Sequence, residues 1–412
     1  MVITVFGLGF VGLTTALGLA EKDVKVYGME VDSGRAQIIS EGKLPFHEPG
    51  LDNALLRQLG KNFFVNPDIS SAVAESDCIF YCVGTPYGES GEADLTYLYG
   101  AINDTLKEID DDKFRVLVTK STIPPSTSQE KIMPFIESIK GDAKIGIANN
   151  PEFLREGFCW DDFMNADRIV LGVDGIKTEQ ILRELYSGFD VPVFAVSLNT
   201  GEFIKYLSNT LLATLISYSN EMAEAAHEIG NIEIAEAFRI LHMDKRWGNC
   251  NMTGYVYPGC GYGGYCLPKD TNALYTLMKQ RGFDMPILGS VIDTNDNMAD
   301  IICERIIDGL DKSVRLGILG LSFKPESDDV RYSPAAKIIE GLIKRGYNDI
   351  RAYDPIAMKN FHDLYDMPIK YMDSMDDTGN EADIIIILTA WAEFCDSAKY
   401  GKRVIDCRYM KK

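Results

Sequence analysis

A cysteine, a lysine and an aspartate follow a run of glycines in residues 257–270. They are Cys266, Lys269 and Asp270. A thiol beside a cationic side chain can be held as a thiolate, which is the nucleophilic form. The glycines let the backbone approach a ligand closely. The stretch therefore predicts nucleophilic catalysis by Cys266, and the alternative is a surface turn that carries an inert buried thiol.

Composition and charge limit the partners of such a site. The chain has 412 residues, enough for roughly two to three domains, and 46% of them are hydrophobic, as in ordinary globular proteins. Its net charge of −20 argues against nucleic acid and against an anionic membrane surface. Apolar runs are too short for a membrane span, and the first residues lack the basic start of a signal peptide.

The cysteines and histidines give little support to a metal site. Nine cysteines are scattered along the chain without a CxxC pair, which is typical of a reducing compartment. We therefore expect a cytoplasmic protein without a disulfide framework. The four histidines lie far apart, so neither a histidine metal site nor a histidine triad is predicted.

A dinucleotide-binding motif begins the chain. An apolar strand runs into Gly7-Leu-Gly9-Phe-Val-Gly12, and an apolar helix follows. This context lets a pyrophosphate bind at the N-terminus of the helix. The next predicted strand ends in Glu30, near the ~20-residue spacing of an acid that binds a ribose. The motif predicts NAD, because Glu30 would repel the 2′-phosphate of NADP; Asp32 is an alternative for the ribose contact.

Small polar residues or carboxylates follow three further apolar strands. Thr85, Thr122 and Glu152 each come soon after such a run. The carboxyl ends of strands in an open parallel sheet are where ligands bind. We therefore expect these three side chains to line one crevice, although each alone is an ordinary loop residue.

A long helix is predicted from Asn199 to about residue 227. Asn199 and Glu202 have the spacing of a capping box. Lys205 and Asn209 are four residues apart and therefore share a helix face. Without other information, a solvated face explains Lys205 more simply than catalysis does. Two further helices are predicted at residues 274–281 and 287–310.

A second strand, glycine turn and helix begin at residue 314. The strand reaches Gly320, and a helix at 333–343 and a strand at 350–354 follow. This order repeats the N-terminal unit weakly. Since the full glycine motif is absent, we expect a nucleotide other than the dinucleotide to bind here.

Five motifs, in this order, resemble the UDP-glucose/GDP-mannose dehydrogenase family. They are Gly7–Gly12, Lys120-Ser-Thr-Ile-Pro124, Pro151-Glu-Phe-Leu-Arg-Glu156, Gly261-Tyr-Gly-Gly-Tyr-Cys-Leu-Pro-Lys-Asp270 and Gly320-Leu-Ser-Phe-Lys324. The resemblance covers essentially the whole chain and is greatest to the bacterial members that oxidise UDP-glucose. It implies an α/β fold with two Rossmann-like, doubly wound domains joined by a long central helix and a helical dimerisation region. The implied division is an NAD-binding domain at 1–198, the helical region at 199–300 and a UDP-sugar-binding domain at 301–412.

The resemblance also implies a reaction. UDP-glucose would be oxidised to UDP-glucuronate with two NAD⁺ in sequence, by a homodimer. Cys266 would add to the intermediate aldehyde as a thiohemiacetal, and loss of a second hydride would leave a thioester that water hydrolyses. Alternatives are UDP-N-acetylmannosamine, UDP-N-acetylglucosamine or GDP-mannose as the substrate, or a non-catalytic nucleotide-sugar sensor.

Roles for five further residues follow from the same resemblance. Lys205, helped by Asn209, would stabilise developing oxyanions. Thr122 and Asp270 would position the water that is the general base of the first step. Glu152 would be the acid/base of the thiohemiacetal and hydrolysis steps.

Two sets of binding residues are implied as well, and no metal. Those for NAD are Gly7, Gly9, Phe10, Val11, Gly12, Glu30, Arg35, Thr85, Thr122, Glu156, Lys269 and Arg331. Those for the sugar nucleotide are Glu152, Phe153, Leu154, Arg155, Lys205, Asn209, Arg246, Tyr255, Gly263, Lys324 and Arg408. Arg246 would reach in from the second subunit, and with Lys324 it would offset the charge of UDP.

Overall fold

The computed structural model describes residues 1–86, 88, 91–141, 143–244, 255 and 257–410. The chain divides into two compact units, Met1–Ser208 and Asn209–Lys412. Each unit is built on a sheet that is wholly or mainly parallel, with helices between successive strands. The predicted α/β class with two Rossmann-like domains is confirmed.

The first unit contains a sheet of eight strands. They are β1 (Val2–Phe6), β2 (Lys25–Met29), β3 (Phe63–Val65), β4 (Cys78–Tyr81), β5 (Arg115–Thr119), β6 (Ile145–Asn149), β7 (Ile169–Val173) and β8 (Val193–Ser197). Their order is β3-β2-β1-β4-β5-β6-β7-β8, and only the β6–β7 pair is antiparallel. The first six strands have the order 3-2-1-4-5-6 of dinucleotide-binding folds, in which ligands bind where the order reverses, between β1 and β4.

Helices cover this sheet and position its loops. They are α1 (Phe10–Ala20), α2 (Ser33–Ser40), α3 (Leu51–Gln58), α4 (Ile69–Glu75), α5 (Thr96–Glu108), α6 (Met133–Lys140), α7 (Cys159–Met164) and α8 (Ile176–Leu185). A π-helical turn, Ser128–Ile132, leads directly into α6. Every residue of α1 from Gly12 to Ala20 is buried, so this helix is covered on all sides and lies in the core.

A 32-residue helix, α9 (Leu198–Ile229), runs across the boundary of the two units and confirms the predicted long central helix. The predicted capping box at its start is wrong. The helix begins at Leu198, and the Ser197 Oγ accepts the hydrogen bond of the Thr200 N–H at 3.3 Å. Glu202 instead accepts from the Ser128 N–H at 2.8 Å, because burial of its carboxylate brings it against the turn that precedes α6.

The second unit contains a five-stranded parallel sheet. Its strands are β9 (Leu316–Leu319), β10 (Ile350–Tyr353), β11 (Lys370–Tyr371), β12 (Ile384–Ile387) and β13 (Arg403–Asp406). Their order is β11-β10-β9-β12-β13. The remaining helices are α10 (Ile234–His242), α11 (Cys266–Gln280), α12 (Pro286–Ile307), α13 (Pro334–Lys344), α14 (Met358–Tyr365), α15 (Met375–Glu381) and a 3-10 helix, Ala392–Tyr400.

Helix α11 begins eight residues before its predicted start at residue 274. Gly264 has a φ of +74° and ends the irregular glycine stretch, and the helix starts two residues later at Cys266. Pro268 lies in the first turn, where proline is tolerated because its missing N–H has no partner within the helix. Helix α12 ends at Ile307, three residues before the predicted end.

Candidate active site

The glycine turn after β1 leaves room for a ligand at one position. A Cβ on Gly7 would lie 2.8 Å from the Cys82 carbonyl oxygen, and one on Gly12 would lie 1.8 Å from the Gly7 oxygen. A Cβ on Gly9 would meet nothing within 4 Å. Gly9 is also the N-cap of α1, and no side chain caps that helix. The free N–H groups at Phe10 and Val11, beside an open Gly9, are the cradle that a pyrophosphate requires.

Glu30 and Arg35 form the second part of this nucleotide site. The carboxylate of Glu30 accepts from the Leu8 N–H at 2.9 Å, the Asp32 N–H at 3.0 Å and the Arg35 Nη1 at 3.2 Å. A carboxylate can accept about four hydrogen bonds, so one more donor, such as a ribose hydroxyl, fits. Asp32, the alternative for the ribose contact, caps α2 by accepting from the Arg35 N–H at 2.9 Å.

Thr85 and Thr122 meet at the carboxyl edge of the sheet, beyond β4 and β5. The Thr85 hydroxyl donates to the Thr122 carbonyl oxygen at 2.9 Å, and Thr85 is buried. Next to them, the Ser121 hydroxyl donates to the Val83 carbonyl oxygen at 2.6 Å. These bonds join the two loops at the edge where the strand order predicts a ligand.

Glu152 and Lys205 form a buried ion pair in the first unit. The Lys205 Nζ lies 2.8 Å from the Glu152 Oε1, and the two residues are 5% and 8% exposed. The interpretation of Lys205 as part of a solvated face is therefore wrong. Burial raises the pKa of Glu152, but the Lys205 ammonium and the Leu154 N–H, at 2.6 Å, together bring that pKa below its usual value. Thr122 and Lys205 also line a small cavity of about 10 Å³.

The residues after Glu152 are only partly available to a ligand. Two cations lie near the ring of Phe153, the Arg168 guanidinium 4.2 Å and the Lys205 Nζ 5.7 Å from its centroid. The Arg155 guanidinium donates to both oxygens of Asp162, at 3.0 and 2.6 Å. Its charge is thus balanced within the unit. Glu156 is half-buried at the end of this segment.

The predicted nucleophile lies at the start of a helix in the second unit. Cys266 is the first residue of α11 and is partly exposed. A helix N-terminus stabilises a thiolate through its free N–H groups and dipole. One turn later, the fully buried Asp270 accepts from the Asn209 Nδ2 and from the Lys269 Nζ, both at 2.5 Å. The structure thus brings the side chains of Asn209, Lys269 and Asp270 together near the start of α11.

The glycines before Cys266 pack against the loop between β9 and α13. A Cβ on Gly263 would lie 2.5 Å from the Tyr332 carbonyl oxygen, and one on Gly264 would lie 2.9 Å from the Phe323 ring. From the same loop, the Arg331 guanidinium lies 4.5 Å from the centroid of the Tyr265 ring and pairs with Asp329 at 2.7 Å. The close contacts explain why these positions are glycine.

Four further residues were predicted to contact the sugar nucleotide, and the structure describes three of them: Arg408, Lys324 and Tyr255. A Cβ on Gly259 would lie 2.5 Å from the Arg408 Nη1, so this guanidinium lies against the glycine stretch. Lys324 is half-buried, with its Nζ 5.6 Å from the centroid of the Phe323 ring. Tyr255 is half-buried as well. Arg246 lies outside the described residues.

Two asparagines that sequence reasoning missed, the buried Asn220 and the half-buried Asn295, hold the glycine stretch. The Asn220 Oδ1, on α9, accepts from the Gly259 N–H at 2.7 Å. The Asn295 Oδ1, on α12, accepts from the Tyr262 N–H at 2.7 Å. Asparagine among apolar residues of a helix was the available signal, because a buried amide needs a partner.

No helix in the described part of the chain is both long and apolar enough to cross a membrane. No group of three or more His, Cys, Asp or Glu side chains in the same residues could hold a metal ion.

Comparison with known proteins agrees with this arrangement. Three models of the UDP-glucose/GDP-mannose dehydrogenase family match in order: the NAD binding domain over residues 1–190, the central domain over 199–297 and the UDP binding domain over 317–412. The chain is 34% identical to UDP-glucose 6-dehydrogenase TuaD of Bacillus subtilis over 394 residues, which covers 95% of this chain and 84% of that protein.

Solved structures resemble the whole chain. A UDP-glucose dehydrogenase from Pyrobaculum islandicum superposes with a TM-score of 0.93 at 33% identity, covering 100% of this chain and 95% of that one. A UDP-D-ManNAc dehydrogenase from Pyrococcus horikoshii gives a TM-score of 0.86 at 26% identity, covering 100% and 96%. With the family models matched along its length, the chain belongs to the UDP-glucose/GDP-mannose dehydrogenase family and is an NAD-dependent nucleotide-sugar dehydrogenase.

Proposed function

We propose that the protein is a UDP-glucose 6-dehydrogenase, which oxidises the primary alcohol of UDP-glucose to the carboxylate of UDP-glucuronate. The observation that carries the proposal is the position of Cys266 at the first residue of α11, one turn before the buried Asp270 and its two partners. An alcohol dehydrogenase without a nucleophile stops at the aldehyde. A thiol at a helix N-terminus allows the second oxidation, because it can add to that aldehyde.

In the proposed mechanism, Cys266 forms the thiohemiacetal and then carries the sugar as a thioester. Bound NAD⁺ supplies the hydride acceptor for both oxidations. The buried Lys205 ammonium stabilises the oxyanion that develops at the reacting carbon, helped by the Asn209 amide. The burial of Lys205 supports this role, since a cation in a site from which water is excluded acts more strongly than one in solvent.

Proton transfer is assigned to Glu152, and water positioning to Thr122 and Asp270. The ion pair with Lys205 favours the ionised form of Glu152, as a group that accepts protons requires. Water that Thr122 and Asp270 orient takes the alcohol proton in the first step. After the second oxidation, Glu152 activates the water that hydrolyses the thioester.

We assign NAD to residues 1–198 and the sugar nucleotide to residues 301–412, with residues 199–300 between them. The open Gly9 and the spare capacity of Glu30 support the first assignment. The guanidinium group of Arg408, which lies against Gly259 in the stretch that precedes Cys266, supplies cationic charge in a chain whose net charge is −20. Local cations are needed there if an anionic diphosphate is to bind.

We further propose a cytoplasmic homodimer. Phe203, Leu207 and Leu211 recur every four residues along α9 and are 46%, 53% and 50% exposed. An exposed apolar row on one helix face is the kind of surface that a second subunit covers. The scattered, unpaired cysteines support a reducing compartment.

The stoichiometry of NADH tests the proposed reaction. We expect about two NADH for each UDP-glucose consumed, because both oxidations occur before product release. Cys266→Ser should lose net turnover by about 10³-fold or more, since a serine hydroxyl is a much weaker nucleophile at this pH. Cys395→Ser is the matched control, because that thiol is exposed, and it should retain the parent rate. One NADH per sugar, or an active Cys266→Ser, would contradict the covalent route.

A panel of nucleotide sugars tests the substrate. UDP-N-acetylmannosamine is the second candidate, since a UDP-D-ManNAc dehydrogenase shares the fold over the whole chain. We expect UDP-glucose to have the highest kcat/KM among UDP-glucose, UDP-N-acetylmannosamine, UDP-N-acetylglucosamine and GDP-mannose. Absence of NADH with every sugar despite tight NAD⁺ binding would instead indicate a sensor.

A further inference from the structure

Lys120 is a buried lysine to which the proposed mechanism assigns no role. It directly follows β5 and is 4% exposed. Its Nζ donates to the Asn150 Oδ1 at 2.8 Å. An ammonium removed from water is strongly disfavoured unless opposite charge lies nearby. An amide oxygen carries only a partial charge, so Asn150 alone compensates Lys120 poorly.

Asn150 connects Lys120 to the segment that carries Glu152. The Asn150 Oδ1 also accepts from the Tyr186 hydroxyl at 2.6 Å, and its Nδ2 donates to the Val170 carbonyl oxygen at 2.8 Å. The amide is therefore held at both ends. A single residue, Pro151, with its restricted φ, separates Asn150 from Glu152. A shift of the Lys120 ammonium would thus be transmitted to the carboxylate along a short, stiff path.

Charge links Lys120 to Glu152 as well. The titratable groups that face Lys120 are Cys82, Glu152 and Lys205, with Tyr186 on the other side of Asn150. Burial raises the pKa of the Cys82 thiol to about 12, so that group is neutral near pH 7. Glu152 is then the one negative charge among these groups, and it faces two ammonium groups.

The groups that face Glu152 give the same picture. They are Lys205, Lys120, the Leu154 N–H and the thiols of Cys82 and Cys159, which are kept neutral because burial raises the pKa of each. Lys205 is the direct ion-pair partner of Glu152. A substrate oxyanion that attracts Lys205 would leave Lys120 as the remaining cation near the carboxylate.

We propose that Lys120 is a positioning residue for Glu152, which keeps this carboxylate ionised and in place while Lys205 interacts with the substrate. The inference rests on the proposed function of Glu152 as the acid/base. Lys120 acts through Asn150 and through its charge, and it does not touch the reacting carbon.

The pH profile of turnover tests the charge effect. Removal of a nearby cation raises the pKa of a carboxylate. In Lys120→Met we therefore expect the acidic limb of kcat to move up by about half a pH unit or more, kcat to fall about tenfold, and KM for UDP-glucose to change less than about threefold. Lys120→Arg, which keeps the charge, should restore the position of the limb.

Lys140→Met is the matched control for that profile. The Lys140 Nζ also donates to a neutral oxygen, the Ile109 carbonyl at 2.8 Å, but this lysine is not among the groups that face Glu152. Its profile should superpose on that of the parent protein. An unmoved limb in Lys120→Met, or a rise in KM as large as the fall in kcat, would overturn the inference.

A stability measurement tests the coupling without any activity. Burial lowers the pKa of Lys120 to about 8, below its value in the unfolded chain, so the unfolded state binds more protons between about pH 8 and 10. The contribution of Lys120 to stability therefore grows as the pH rises through that window. The Tm of the parent minus that of Lys120→Met should increase from pH 7.5 to 10, whereas the corresponding difference for Lys140→Met should stay flat.

The same measurement with Glu152→Gln separates this inference from the proposed function. Without the Glu152 charge, the Tm difference that Lys120→Met produces should begin to increase at a lower pH. An unchanged onset would show that Lys120 and Glu152 are not coupled and would overturn the inference. If the parent protein oxidises no nucleotide sugar, the proposed function fails, whereas a shifted onset would still support the link between the two side chains.

Discussion

The first strands of the two units, β1 and β9, both run into a glycine with a positive φ, yet the chain continues differently. Gly7 has a φ of +86° and Gly320 a φ of +100°. In the first unit α1 begins at Phe10, three residues after the glycine, whereas in the second α13 begins only at Pro334. The short connection presents a helix N-terminus to a ligand. The long connection replaces it with a loop that packs on the residues before Cys266.

The acids that end the next strands differ in the same way. Glu30 follows β2 and accepts three hydrogen bonds, one of them from the partly exposed Arg35. Asp354 follows β10, is 1% exposed and accepts six hydrogen bonds from protein donors. The first carboxylate has capacity left for a ligand, and the second is fully used in holding its own loops. One fold position can thus serve a cofactor in one unit and stability in the other.

The largest effect is expected at the short connection. Gly12→Ala would place a Cβ 1.8 Å from a backbone oxygen, which cannot be relieved by a side-chain rotation. We expect a loss of about 3 kcal/mol or more of unfolding free energy, measured by denaturant titration. Gly9→Ala is the control, since its Cβ meets nothing within 4 Å. It should keep the parent stability and weaken NAD⁺ binding, and equal stability of both variants would contradict this account of the turn.

A smaller effect is expected at the second acid. Asp354→Asn would replace one acceptor oxygen by an amide donor that faces existing N–H groups. Leaving such buried donors unpaired should cost about 2–3 kcal/mol, measured in the same titration. KM for NAD⁺ should not change in the folded variant. If Asp354→Asn raised KM for NAD⁺ and left the unfolding free energy unchanged, the roles assigned to Glu30 and Asp354 would be reversed.

The smallest change in stability is expected for Glu30→Gln. Glu30 accepts three hydrogen bonds where Asp354 accepts six, and one of the three donors is the partly exposed Arg35, so we expect a loss of about 1 kcal/mol or less. The preference for NAD⁺ over NADP⁺, measured as a ratio of kcat/KM values, should fall about tenfold, because the charge that repels a 2′-phosphate is gone. Asp32→Asn is a suitable comparison, since Asp32 caps α2, and it should leave that ratio unchanged.

The sequence predicted those parts of the molecule in which local pattern and long-range packing agree. The strand, glycine turn and helix around Gly7 are consecutive in the chain, so their arrangement follows from turn geometry and apolar pattern. The start of α11 was missed because glycines, a cysteine and Pro268 resemble a loop when the helical first turn is not considered. The predicted capping box at Asn199 and Glu202 is wrong because the Glu202 carboxylate accepts a hydrogen bond from Ser128, a residue distant in sequence.

Long-range contacts also explain why the site was predicted only in part. Thr85 and Thr122 lie at neighbouring strand ends, and the strand order alone brings them together. In contrast, spacing along a helix could not show that Lys205 is buried against Glu152. Lys120 and Asn150 follow adjacent strands of the sheet, but only the folded chain shows that their side chains meet.

The helix start at Cys266 has a practical consequence for chemical labelling. Among the described cysteines, Cys78, Cys159, Cys260, Cys303 and Cys407 are buried, and burial makes a thiol a slow target for alkylation. Cys266 is accessible and lies at the N-terminus of α11, so a haloacetamide should modify it before these five buried thiols. The rate of Cys266 alkylation, followed by mass spectrometry, would then measure how strongly an added nucleotide sugar protects the sulfur.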